Sequence, residues 1–516
     1  MIKDNKKSAD ISAPRTIPGK NKNKLEIVAQ VRSGKTNVKK KEPFILTGSK
    51  LAAFEGRKKH NEVLDALLQE IQVIDVRTYL NLPKDVSVRQ KHIVVAVIKN
   101  LLEIAKSKQW NLSKVHDYTY LFNGAFWQQL DKDDMKAFLG RAAMQMGCPE
   151  YEARWTDFKK KLLEQFLTDA HLPPPPLETH KTLINLQNCT LKFTSSGWEL
   201  QAFRAEDFLK YQLAFSYDPN AMCPTFDTYL LMVLPDASSR LILQEYAGYI
   251  FTSLHLEKML VLYGDGRNGK SVFFNILQAI LGSENILTYS LGSFNSEYNR
   301  ARLCNALVNY SSEKGTDLNT EIFKALISGE PQQAREPYGK SFTIRNKVRF
   351  IMNTNVLPLE TEHTRAYFER YLIVPFDTYI KPEERDPALA MRIINDELPG
   401  VFNWILAGLD RIARQGTFSV CEKADRALAD FKNQSDNVTL FLEEYNYVNS
   451  LVNKEALTNI YNRYKIFCKE DGYKALGKNI FSKRFENKGF EKTRLNDGSV
   501  AFLIMEEPFT ENIVQE

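Results

Sequence analysis

Eight consecutive residues, Gly264-Asp265-Gly266-Arg267-Asn268-Gly269-Lys270-Ser271, are of types and at spacings that can handle a phosphate chain. The glycines let backbone N–H groups turn toward an anion without Cβ clashes. Lys270 can neutralise the β and γ phosphates of a nucleotide, and the Ser271 hydroxyl can ligand Mg²⁺. An apolar run, Met259 to Tyr263, leads into the stretch, and Val272 to Leu277 follows it with helical character. Strand, glycine-rich loop, helix is the context a phosphate-binding loop requires, and it makes all eight residues candidate contacts for ATP with Mg²⁺. The bland alternative is a tight turn that spells Gly-x4-Gly-Lys-Ser by chance.

Further candidates follow in chain order. The apolar run Ala306 to Tyr310 ends in Ser311-Ser312-Glu313, where a second strand would set an acid beside the metal and the attacking water. Glu313 is therefore either the Mg²⁺ partner, the water-activating base or a solvated loop acid. Val348 to Met352 runs into Asn353-Thr354-Asn355-Val356-Leu357-Pro358, and an amide at a strand end can orient water against the γ phosphate. Asn355 is the choice for that role because Asn353 lies further back in the strand, although a turn-capping Asn would look the same. Arg365 and Arg370 precede the run Tyr371 to Phe376; an arginine there is either a plain surface charge or, in a ring assembly, a finger reaching the neighbouring subunit's nucleotide. Between acid and amide, Arg335-Glu336-Pro337-Tyr338-Gly339-Lys340 reads as a hairpin turn carrying two cations, Arg335 and Lys340, that suit a nucleic-acid phosphate or plain solvent.

These residues need a sizeable scaffold, and 516 residues with 43% hydrophobic and 26% charged content describe an ordinary multidomain globular protein. No secretory leader or apolar stretch of spanning length is read, so the expectation is a cytoplasmic protein without membrane partners. Six dispersed cysteines and seven dispersed histidines fit core thiols better than disulfides or a zinc ribbon. Residues 1–42 are expected as a flexible basic arm: the first 41 carry a net charge of +9, against −3 for the remainder. Its charge suits phosphate backbones or simple solubility. An α+β amino-terminal domain is expected over 43–214. It has helical periodicity within 60–107, a hairpin about Asn123-Gly124, helices at 132–146 and 150–169, a Pro173–Pro176 linker and short strands at 183–193 and 197–200. The nucleotide-binding α/β unit, with a parallel central sheet, is expected over 215–415, and a helical connector over 416–452.

The segment 453–505 reads as helix, helix and hairpin, with turns about Asn496-Asp497-Gly498, which describes a winged helix, leaving 506–516 as a tail. Its second helix is expected to bury Ile480, Phe481 and Phe485 while Lys478, Asn479, Ser482 and Lys483 face a DNA groove. A small protein-docking domain is the alternative.

Taken together, Asn185 to Asn188, Tyr217 to Pro224, the Gly264–Ser271 loop, Ser312-Glu313, Ala334 to Lys340, Asn355-x-x-Pro358 and Arg370 to Phe376 resemble the phage and plasmid primase-helicase family. That family is related to the poxvirus replication NTPase and belongs to the superfamily 3 helicases among AAA+ ATPases. The resemblance implies an ATP-dependent replicative helicase of a phage or mobile element. It further implies a hexameric ring on single-stranded DNA, moving 3′ to 5′, with a separate primase or polymerase as a possible partner. It maps Lys270, Ser271, Glu313, Asn355 and Arg370 onto ATPase residues and Lys340 onto the DNA-gripping hairpin lysine. Relatives often carry adjacent acids where Glu313 is followed by Lys314, and paired arginines where Glu369 precedes Arg370. No paired-carboxylate constellation for priming stands out before residue 215; Asp131-Lys132-Asp133-Asp134 reads equally as a helix cap. Two other functions remain open on the residues: an origin-binding initiator ATPase with little unwinding, and a phosphate-loop kinase or small-molecule NTPase.

Overall fold

The structure is a computed structural model, and it describes residues 58–115, 118–170, 182–194, 197–312, 318–337, 339, 341–345, 347–357 and 364–507. The basic arm, the Pro173–Pro176 linker, Glu313, Lys340, Pro358 and the end of the tail lie outside the described residues.

The amino-terminal part comprises α1 (His60–Glu70), α2 (Val76–Tyr79), α3 (Gln90–Ser107), β1 (Asn111–Val115), β2 (Tyr118–Phe122), β3 (Trp127–Leu130), α4 (Lys132–Gln145), α5 (Glu150–Arg154) and α6 (Thr156–Asp169). On α3 the three-and-four spacing of Val94, Val97, Ile98, Leu101 and Ala105 makes one buried stripe. That stripe packs with Phe138 and Leu139 of α4 and with Phe158, Leu162 and Phe166 of α6. Asp131 caps α4, its carboxylate accepting from the N–H groups of Asp133 at 2.7 Å and Asp134 at 3.2 Å. The β2–β3 connection turns at Gly124, with Asn123 Oδ1 accepting from Ala125 and Phe126. The helix expected over 150–169 is broken at Trp155, whose extended backbone separates α5 from α6.

Next come β4 (Thr182–Asn185), β5 (Thr190–Thr194) and β6 (Gly197–Gln201), an antiparallel sheet, and then α7 (Pro224–Val233) and α8 (Ala237–Tyr249). Ile184, Leu186, Leu191 and Leu213 share a hydrophobic cluster with Phe226, Ile242 and Tyr246, so packing is continuous across the boundary expected at 214.

The central element is a five-stranded parallel sheet. Its components in chain order are β7 (Met259–Tyr263), α9 (Lys270–Leu281), β8 (Ile286–Leu287), α10 (Glu297–Arg302), β9 (Val308–Ser311), α11 (Thr320–Ser328), the hairpin β10 (Pro331–Arg335) and β11 (Ser341–Arg345), β12 (Arg349–Thr354), α12 (Arg365–Phe368) and β13 (Tyr371–Pro375). The sheet order is β13-β7-β12-β9-β8, while β10 and β11 pair only with each other. Alternation divides β7 between two cores. Leu260 and Leu262 face α7, α8 and α9, whereas Met259 and Val261 face Phe294, Phe323 and Tyr367. Each such burial contributes about 1.5–3 kcal/mol, which explains the uninterrupted apolar run.

Helices α13 (Leu389–Asp396), α14 (Leu398–Gln415) and α15 (Glu422–Ser435) return across the sheet, α14 against α8 and α15 against β13. The carboxyl-terminal unit comprises α16 (Asn437–Glu444), β14 (Tyr447–Ala456), α17 (Leu457–Glu470), α18 (Lys478–Asn487), β15 (Lys492–Arg494) and β16 (Val500–Glu506). The expected helical connector over 416–452 is helical only to Glu444. From Tyr447 the chain is a strand completing the sheet β14-β16-β15, and Val438 and Phe441 of α16 join the core of Tyr464, Phe481, Phe485 and Phe502. No helix among the described residues is long and apolar enough to cross a membrane.

Candidate nucleotide site at the end of the parallel sheet

The Gly264–Ser271 loop leaves the carboxyl end of β7 between β12 and β13. Gly264, Gly266 and Gly269 all hold positive φ, as does Arg267 at 55°. At two of these positions space forbids any side chain. A Cβ on Gly264 would lie 2.5 Å from the Phe376 carbonyl oxygen, and one on Gly269 would lie 2.6 Å from Val233 Cγ1. The loop is therefore clamped from both sides. Asn268, 3% exposed, donates from Nδ2 to Phe376 O at 2.8 Å, and the Tyr229 hydroxyl donates to Gly269 O at 2.9 Å.

Lys270 opens α9 and is 4% exposed. Its ammonium donates to Gly264 O at 2.5 Å, Asn268 Oδ1 at 3.1 Å and Asn355 Oδ1 at 3.2 Å. All three acceptors are neutral, and burial pushes the Lys270 pKa below the ordinary lysine value, with Asp265 partly opposing it. A buried ammonium without a carboxylate among its described partners, at the mouth of a positive-φ loop, is chemically suited to an anion. Ser271 occupies the first turn of α9 and is exposed, so its hydroxyl is open to a metal-bound phosphate. A triphosphate with Mg²⁺ fits this set.

Asn355 thus meets Lys270, as do Gly264 and Asn268, while Asp265 and Arg267 are exposed on the loop. Asn353, set back in β12, bonds to Tyr310, which stacks on Phe274 of α9 with ring centroids 3.3 Å apart. Its Oδ1 is buried without a partner, and so is Ser311 Oγ at the end of β9. Arg370 is not brought to Lys270. It precedes β13, whose first residue pairs with the first residue of β7, so it sits at the opposite edge of the sheet, about 16 Å of strand away. There its guanidinium donates to Glu257 at 3.1 Å and Ser328 Oγ at 2.9 Å. Arg365 is exposed and paired with Glu369 at 2.6 Å.

Arg335 ends β10, donates from Nε to Gly339 O at 3.1 Å and lies 3.7 Å from Glu297. The adjacent Glu336 accepts from the Tyr118 hydroxyl at 3.1 Å, tying the hairpin to β2. On α18, Lys478, Asn479 and Lys483 are exposed as expected. Ser482 and Ile480 exchange places relative to expectation. Ser482 is 5% exposed, with its Oγ 3.3 Å from Glu486, and Ile480 is 58% exposed. Phe481 and Phe485, four apart, set the centre of the buried stripe, and the flank that turns inward beside them is Ser482. Tyr229 and Phe376, which brace the loop, carry no sequence signal, being a helix aromatic and a residue after a strand.

Comparison with known families adds three stretches. Residues 98–235 match a family model described as D5 N terminal like, residues 433–515 one described as poxvirus D5 protein-like, and residues 262–370 a family of unknown function, DUF5906. Two of the three matched models are thus D5 models. No curated protein matches the sequence. Among solved structures, an A-form apo structure of the NrS-1 C terminal region is similar at 14% identity and a TM-score of 0.46, over 79% of this chain and 98% of that chain. An apo structure of its residues 305–718 is similar at 12% identity and a TM-score of 0.46, over 78% and 97% respectively.

Proposed function

We propose that this protein is an ATP-dependent DNA helicase acting in replication of a phage or other mobile element, of the superfamily 3 AAA+ type, working as a hexameric ring. The observation that carries this reading is Lys270, buried among neutral oxygens at the head of a helix that follows a clamped glycine loop. Bound ATP with Mg²⁺ supplies the transferable phosphoryl group and the metal's charge. The loop N–H groups would bind the phosphates, Lys270 would neutralise them, and the Ser271 hydroxyl would hold the metal. Asn355 would orient the attacking water, and Glu313 would serve as the second metal partner or as the base that takes the water's proton. Arg370, at the far edge of the sheet, acts on the nucleotide of an adjoining subunit.

The β10–β11 hairpin, with Arg335 and Lys340, grips single-stranded DNA. The carboxyl-terminal unit, read as a winged helix, binds duplex through Lys478, Asn479 and Lys483, with Ile480 rather than Ser482 available for an apolar base contact. The matches to two D5 family models support the replication setting, in which a separate primase or polymerase is a partner in the cytoplasm. ATP turnover stimulated by single-stranded DNA, together with strand displacement on a forked substrate, tests the reading. Stimulated turnover without displacement would turn it toward an initiator ATPase, and neither activity would overturn it. Lys483→Ala is expected to weaken duplex binding and lower the salt slope by about one, whereas Ser482→Ala leaves both unchanged.

A further inference from the structure

A cavity of about 110 Å³ lies beside the Gly264–Ser271 loop. Two stretches form its walls, Val233 and Pro235 at and just past the end of α7, and Pro375 and Thr378 at and just past the end of β13; Asp377 and Lys423 also line it. Both walls touch the loop. Val233 packs against Gly269, and Phe376, next to Pro375, accepts the Asn268 amide. Anything joined to a phosphate chain in that loop has this cavity as a neighbour.

Two prolines and a valine make apolar walls that suit a planar ring. The polar groups are weighted toward acceptors. Asp236 also lines the space, but its Oδ2 is already committed to Ser238 Oγ at 2.5 Å and Ser239 N at 2.7 Å. Asp377 is different: among the described residues its side chain has one partner, Lys423, at a long 3.5 Å across exposed positions. A weak surface pair of this kind contributes little and is easily exchanged. A carboxylate accepts only, so what replaces Lys423 must bring N–H donors.

We propose that this cavity receives the base of the bound nucleoside triphosphate, and that Asp377 accepts from an exocyclic amino group, so that ATP is preferred over UTP. The proposal rests on the reading of the Gly264–Ser271 loop as the phosphate site. Thr378 sets the depth of the cavity and Asp377 its selectivity.

The test is isothermal titration of the full chain, with Mg²⁺, by ATP, UTP and inorganic tripolyphosphate. ATP is expected to bind about tenfold more tightly than UTP, whose C4 carbonyl would set an acceptor against the Asp377 carboxylate where adenine sets an amino donor. Asp377→Ala should bring the two within about twofold by weakening ATP. Thr378→Trp, which fills the cavity from a half-buried wall position, should lower ATP to the affinity of tripolyphosphate, and keeps the test open if Asp377→Ala does not fold. Equal affinities for ATP and UTP in the wild type, or an unchanged preference in Asp377→Ala, would overturn the proposal while leaving the phosphate site standing. Absence of binding by all three compounds would overturn both.

Discussion

Among the described residues, the two ends of the parallel sheet's strands each bury a cation that has no carboxylate hydrogen-bond partner, and the acceptors around the two cations differ. At the amino edge, Arg349 opens β12 and is 5% exposed. Its guanidinium donates to the carbonyls of Tyr249, Thr252 and Leu254 and lies 3.7 Å over the Tyr249 ring. Those carbonyls sit at and just beyond the carboxyl end of α8, where the helix dipole is negative. The acceptors are main chain and cannot turn away, so Arg349 is a lock on the segment that feeds β7. At the carboxyl edge, one of the three Lys270 acceptors is the exposed Asn355 side-chain amide, which can rotate, whereas Asn268 is held by Phe376 O. A buried cation is therefore a sign of ligand binding where an acceptor is displaceable, and a sign of architecture where none is.

Four measurements would break or sharpen this contrast. Lys270→Ala is expected to remove nucleotide binding and to cut ATP turnover by more than about 10³-fold, with the melting temperature little changed. A variant that still turns over ATP would end the distinction. Arg370→Ala should slow turnover by about 10³-fold while leaving ATP affinity intact. Mixing it with Lys270→Ala protein should restore part of the activity, because each subunit supplies what the other lacks; absence of rescue would place Arg370 with the locks. Arg349→Leu is expected to lower stability by about 3 kcal/mol through three orphaned carbonyls, measured by urea unfolding, with KM for ATP unchanged in the folded fraction.

The smallest effect is alkaline. The Lys270 pKa is lowered in the free fold, so between that value and the ordinary lysine value of about 10.4 the unfolded chain holds the proton and the folded chain does not. The contribution of this group to stability therefore rises with pH in that window. Triphosphate affinity falls across the same window as the ammonium is lost. Opposite slopes in melting temperature and affinity over that range would confirm that one group governs both.

What the sequence made legible followed from local rules. The strand before the loop, the helix after it and the need for glycine are all dictated within about fifteen residues. Asn355 was separable from Asn353 because Asn353 lies further back in the strand, with Asn355 close to Pro358. What stayed illegible was set by distant packing. Tyr229 reaches Gly269 from 40 residues upstream, and Phe376 contributes only a carbonyl oxygen. Trp155 interrupts an otherwise continuous helical pattern through one extended residue. The inward turn of Ser482 depends on which helices cover α18, and the strand β14 on a partner, β16, about fifty residues later.

The bond from Tyr118 to Glu336 joins residues 218 apart in sequence and is supported by the edge-on contact of Tyr118 with Phe342. It fastens the root of the hairpin to a strand outside the parallel sheet. A displacement of the hairpin root would have to shear this phenol–carboxylate contact, along with the Arg300–Gln333 bond to α10, or drag β2 and the helices behind it. The amino-terminal module would in that sense be mechanical ballast for the hairpin.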